Sequence, residues 1–111
     1  SGLAPEEVES QITVPIESAV NGLPGVTTVR SSSKVGLSMV QVVFDQEADI
    51  YKARQSVTER LQQVTNQLPE GVQPPEISPL ASPLGTILQY AFTVKGQGQT
   101  SLMDLRRLVD S

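Results

Sequence analysis

The chain has 111 residues, no cysteine, no histidine and a formal net charge of −4. Those absences remove disulfides, thiolate nucleophiles, imidazole bases and the commonest zinc and copper ligands. The eight Lys and Arg residues are spread too thinly to form a stripe for a phosphate backbone, so no nucleic-acid partner is expected. With 38% hydrophobic and 18% charged residues, the composition fits one small folded domain with room for a second, incomplete element. No run approaches the roughly 18 apolar residues that a membrane-spanning helix needs.

Residues 3–20 read as a helix. Pro5 suits its first turn, Glu6, Glu7 and Glu9 lie at the positive end of its dipole, and Val8, Ile12, Ile16 and Val20 recur every fourth residue. Pro15 falls inside that pattern and removes the hydrogen bond to the carbonyl of Gln11, which predicts a bend. After Asn21-Gly22 and Pro24-Gly25, residues 26–33 and 37–44 read as a hairpin around Lys34-Val35-Gly36. In its second strand Val40, Val42 and Phe44 share one face, while Met39, Gln41 and Val43 share the other.

Asp45, Glu47 and Asp49 supply an acidic helix start, and the spacing of Ile50, Ala53, Val57, Leu61, Val64 and Leu68 predicts a long amphipathic helix over 49–68. Its opposite side carries Gln55, Glu59, Gln62 and Asn66, a polar face suited to meeting copies of itself. Pro69 stops the helix. The segment 71–85 contains Pro74, Pro75, Pro79 and Pro83 and favours extended backbone, with a short strand near 76–78. A strand over 86–94 places Leu88, Tyr90, Phe92 and Val94 on one side, and a last helix from Thr100 carries Leu102, Leu105, Leu108 and Val109. The class is therefore α+β. The first five elements lack only an initial strand to make a ferredoxin-like βαββαβ unit, and the remainder reads as the opening strand and helix of a second unit.

The motifs Leu3-Ala4-Pro5-Glu6-Glu7-Val8-Glu9, Val14-Pro15-Ile16-Glu17 and Leu23-Pro24-Gly25-Val26 resemble the first porter subdomain of heavy-metal-efflux pumps of the resistance-nodulation-division (RND) class. The resemblance continues through Ala53-Arg54, Leu68-Pro69, Gly71-Val72 and Tyr90-Ala91-Phe92 to Leu105-Arg106-Arg107-Leu108, nearly the whole chain. Multidrug RND pumps are the nearest alternative family, and their corresponding helix lacks the Ala53-Arg54 pattern. What the resemblance implies is a periplasmic portion of an inner-membrane, proton-driven cation antiporter. Such a pump is a homotrimer that works with a periplasmic adaptor and an outer-membrane channel. Residues 1–83 would form the first porter subdomain without its N-terminal strand, and 84–111 the start of the second. The helix 49–68 would line the threefold axis, with Gln55, Glu59 and Gln62 as the axis candidates by helical spacing. In this family the metal is bound elsewhere, so the fragment is expected to supply no metal ligand and to need no cofactor.

Competing chemistry is weaker. Met39 and Met103 could offer thioethers to a soft cation, but isolated methionines usually serve as packing. The acidic clusters are accounted for by helix-start electrostatics. Ser31-Ser32-Ser33 has no histidine to act as base, and Gly96-Gln97-Gly98 lacks the remaining residues of a phosphate loop. No enzymatic activity is expected. A stand-alone ferredoxin-like module that binds a small ligand or a protein is the alternative from another class. Self-association by strand addition is a further expectation, because a missing strand exposes unpaired backbone.

Overall fold

The computed structural model describes residues 3–83 and 85–95. The helix expected over 100–111, with Met103, lies outside the described residues. Among the described residues two helices and four strands follow in the order α1, β1, β2, α2, β3, β4, giving an α+β architecture. The first helix, α1, runs through residues 5–20 as an α-helical turn Pro5–Val8, a π-helical segment Glu9–Thr13 and a second α-helical segment Val14–Val20. The strands are β1 (Val26–Lys34), β2 (Leu37–Phe44), β3 (Glu76–Ser82) and β4 (Gly85–Thr93), and the second helix, α2, spans Ile50–Val64.

The wide turn in α1 has a physical cause in the sequence. A stripe of residues spaced by four drifts about 40° per step on an ideal α-helix, so four of them spread over about 120° of its surface. One π turn takes up part of that drift, and Val8, Ile12, Ile16 and Val20 are all no more than 1% exposed. It also lies directly before Pro15, whose nitrogen cannot donate. The amide of Val14 instead reaches the carbonyl of Glu9, five residues back. The disturbance expected at Pro15 is thus expressed as a widened turn one step upstream. At the entrance of α1 the carboxylate of Glu7 accepts from the amide of Ala4 at 3.0 Å, so the acidic start is partly a cap.

All four strands are antiparallel, in the order β1-β2-β4-β3. Gly36 at φ +64 lets Lys34 and Leu37 close the hairpin over two residues. Both helices share one core with the sheet. Val8, Ile12, Ile16 and Val20 of α1 and Ala53, Val57 and Leu61 of α2 cluster with Val40, Val42, Phe44, Leu88, Tyr90 and Phe92. Each large side chain so buried contributes roughly 1.5–3 kcal/mol relative to exposure.

Three boundaries differ from the sequence reading. The helix expected over 49–68 is α-helical only over Ile50–Val64 and tightens to a 3-10 turn at Thr65–Gln67. The short strand near 76–78 extends to Ser82, because an edge strand can carry Pro79 without losing a ladder donor on its paired side. The strand expected over 86–94 begins at Gly85, ends at Thr93 and lies inside the sheet, bonded to β2 on one side and β3 on the other. The division expected at 83/84 refers to a second subdomain whose helix is outside the described residues. What the described residues show is one sheet that contains β4. The arrangement of the described residues is α+β, as the sequence predicts.

Asp49 caps α2, its carboxylate accepting from the amides of Tyr51 at 2.9 Å and Lys52 at 3.2 Å. Replacing it with Ala should lower stability by about 1 kcal/mol, whereas Asn should keep most of the cap. Urea unfolding midpoints of the two variants check this.

Candidate functional site

The polar face of α2 is the feature that the sequence singles out, and the helix builds it by simple periodicity. Ala53, Val57 and Leu61 are buried against the core. On the far side Gln55, Glu59 and Gln62 are all exposed and fall within a narrow stripe. The structure therefore brings the three together on one face. The side-chain amide of Gln55 donates from Nε2 to the carboxylate of Glu59 at 3.2 Å, which links two members of the stripe. Arg60, on the flank, donates to the carbonyl of Ala19 at 2.9 Å and so ties the end of α1 to α2.

Gln62 also borders a cavity of about 410 Å³ between the end of α2, the proline segment and the sheet. Leu61, Leu68, Val72, Ile77 and Phe92 give it mostly apolar walls. The linker that forms its outer wall is held to β4, since Gln73 donates to the carbonyl of Thr93 and Lys95 to that of Gly71.

Tyr90, the large side chain beneath this region, is 1% exposed, and its hydroxyl has no hydrogen-bond partner among the described residues. Burial pushes its pKa up to about 12, against the opposing pull of the Arg54 guanidinium. The unfolded chain releases this proton near pH 10 and the folded chain holds it, so the fold is favoured below pH 10 and loses that advantage as pH rises towards 12. Up to roughly 2–3 kcal/mol should disappear across that window. Tyr90→Phe should flatten the alkaline decline in the unfolding free energy and match or exceed the parent at neutral pH, because it also removes an unpaired buried hydroxyl.

Sequence reasoning passed over one buried polar cluster. Thr13, 1% exposed, sits on the π turn with its hydroxyl 2.6 Å from that of Ser38 and 2.8 Å from that of Ser33. Ser31 donates to the carboxylate of Glu17 at 2.8 Å. The serines of β1 therefore anchor α1 to the sheet. The available signal was Thr13 itself, a polar residue next to the apolar stripe, but its inward turn depends on the widened helix. Met39 lies on the sheet face away from the helices and is partly buried. Among the described residues no three acidic groups lie close enough together to hold a metal ion.

A family model described as the AcrB/AcrD/AcrF family matches residues 1–111. The chain belongs to this family. Among curated proteins it is similar to Protein HelA of Legionella pneumophila, 48% identical over 95 residues, which are 86% of this chain and 9% of that protein. The nickel-cobalt-cadmium resistance protein NccA of Alcaligenes xylosoxydans xylosoxydans is 45% identical over 89 residues, 80% of this chain and 8% of that protein. The cation efflux system protein CusA of Escherichia coli strain K12 is 43% identical over 109 residues, 98% of this chain and 10% of that protein. The chain thus spans about a tenth of the length of the relatives it matches. No solved structure matches it. The resemblance to heavy-metal-efflux RND transporters, carried by the motifs from Leu3-Ala4-Pro5 to Leu105-Arg106-Arg107, is borne out by these relatives.

Proposed function

We propose that the chain is a periplasmic part of a proton-driven heavy-metal cation efflux pump and that its contribution is scaffold rather than metal chemistry. The observation that carries this reading is 43% identity to a cation efflux system protein over 98% of the chain. The polar stripe of Gln55, Glu59 and Gln62 supports the structural half of it. A face of amides with one carboxylate can meet its own copies through hydrogen bonds while staying soluble when free. In the assembled pump that stripe lines the axis of a homotrimer, which engages a periplasmic adaptor and an outer-membrane channel. The transported cation is bound by other parts of the pump, and no catalytic role is assigned to this stretch. Among the described residues no helix is long and apolar enough to cross a membrane.

The test is transport by the full-length protein that carries this stretch. Expressed in a host stripped of its own metal pumps, it should lower cell-associated copper, silver, zinc, cobalt or cadmium. Unchanged accumulation of all five would overturn the assignment, and protection against organic toxicants alone would move it to multidrug export.

A further inference from the structure

Among the described residues the sheet has two outer strands, β1 and β3, and they differ in what they can accept. On β3 the edge is interrupted by Pro79 and approached through Pro74 and Pro75. On β1 nine residues run without proline and, among the described residues, pair with β2 alone. Closure of the hairpin at Lys34 and Leu37 turns the main-chain groups of Arg30, Ser32 and Lys34 towards β2. Those of Val29, Ser31 and Ser33 consequently point outward, and no backbone partner meets them among the described residues.

This edge carries opposite charge on its two faces. Towards α1 it is flanked by a groove of about 300 Å³ whose walls include Glu6, Glu9, Glu17, Ser31 and Ser33. On the other face Arg30 and Lys34 are exposed, two strand positions either side of Ser32. A strand laid along β1 would alternate between these surroundings residue by residue.

We propose that the outer edge of β1 accepts an added strand from a partner protein, an extended segment with basic side chains towards α1 and acidic side chains on the opposite face. Main-chain bonds to Val29, Ser31 and Ser33 hold it, and the alternating charges set its register. A second copy of β1 fits worse. An antiparallel self-pairing centred on Ser31 brings two Glu17 carboxylates together, and one centred on Arg30 sets two guanidinium groups face to face.

The experiment uses the 111-residue chain and two nine-residue peptides of the same composition with a valine at each end, one with lysine and glutamate at alternate positions so that each charge keeps to its own face, the other with those charges in blocks. Amide hydrogen exchange is read residue by residue. With the alternating peptide at saturation, the amides of Val29, Ser31 and Ser33 should exchange at least tenfold more slowly, while those facing β2 change little. Arg30→Glu should weaken binding about tenfold, with most of the loss recovered by a peptide whose acidic positions are made basic. No protection at the three outward amides, equal protection by the block peptide, or protection that grows with chain concentration in the absence of peptide would each overturn the proposal.

Discussion

Gly85→Ala should lower stability by about 4 kcal/mol. Gly85 opens β4 at φ +139, a region that side chains rarely enter, and its ordinary cost is roughly 1–3 kcal/mol. A methyl group there would stand 2.1 Å from the carbonyl oxygen of Phe44 and 3.3 Å from its carbon. Those are backbone atoms of β2 and cannot rotate away, so the β2–β4 ladder must open at its Phe44–Thr86 end. Overpacking of that kind costs a further 1–3 kcal/mol, on the order of what a forced shift of packed backbone requires. In a domain of this size each kcal/mol moves the melting temperature by about 4–8 °C, so a fall well beyond 10 °C is expected in thermal unfolding. A variant that melts with the parent would show that β2 and β4 do not approach closely at this end.

Phe44→Ala should cost about as much, by the opposite mechanism. The ring is 1% exposed and belongs to the cluster shared by both helices and the sheet. One of its edges lies where a methyl group on Gly25 would touch it at 3.6 Å, so the turn between α1 and β1 packs directly on it. Truncation leaves a cavity that neither the turn nor the sheet can close, and buried Phe→Ala changes cost about 3–5 kcal/mol. Phe44→Leu keeps most of the volume and should cost about 1 kcal/mol. Denaturant unfolding of the two variants separates a packing role from a merely hydrophobic position. Equal, small losses would mean that the site is looser than its burial indicates.

The parts of this fold that were legible in the sequence are those written in a single period. The stripe Val8, Ile12, Ile16, Val20 marked α1, and Ala53, Val57, Leu61 marked the buried side of α2. Alternation in β4 identified the face carrying Leu88, Tyr90 and Phe92. It could not name the neighbours of β4, because a side-chain pattern reports which face is buried and not which strands lie on either side. The same limit left the place of β4 in the sheet, between β2 and β3, unread in the sequence. Gln55, Glu59 and Gln62 were legible as one face for the reason α2 was, since helical spacing alone puts them together. The hydroxyl cluster at Thr13 and the unpaired hydroxyl of Tyr90 were not, because each depends on contacts between elements far apart in the chain.

The polar stripe of α2 is expected to meet its own copies in a pump. The chain contains no cysteine, so Gln55→Cys and Gln62→Cys, placed one at a time in the full-length protein otherwise freed of reactive thiols, report on that stripe alone. A disulfide needs its two Cβ atoms about 3.5–4.5 Å apart. Oxidation in membranes should cross-link protomers through either α2 position and leave Arg30→Cys, on the outer strand, uncoupled. Cross-linking from Arg30→Cys but from neither α2 position would contradict the account.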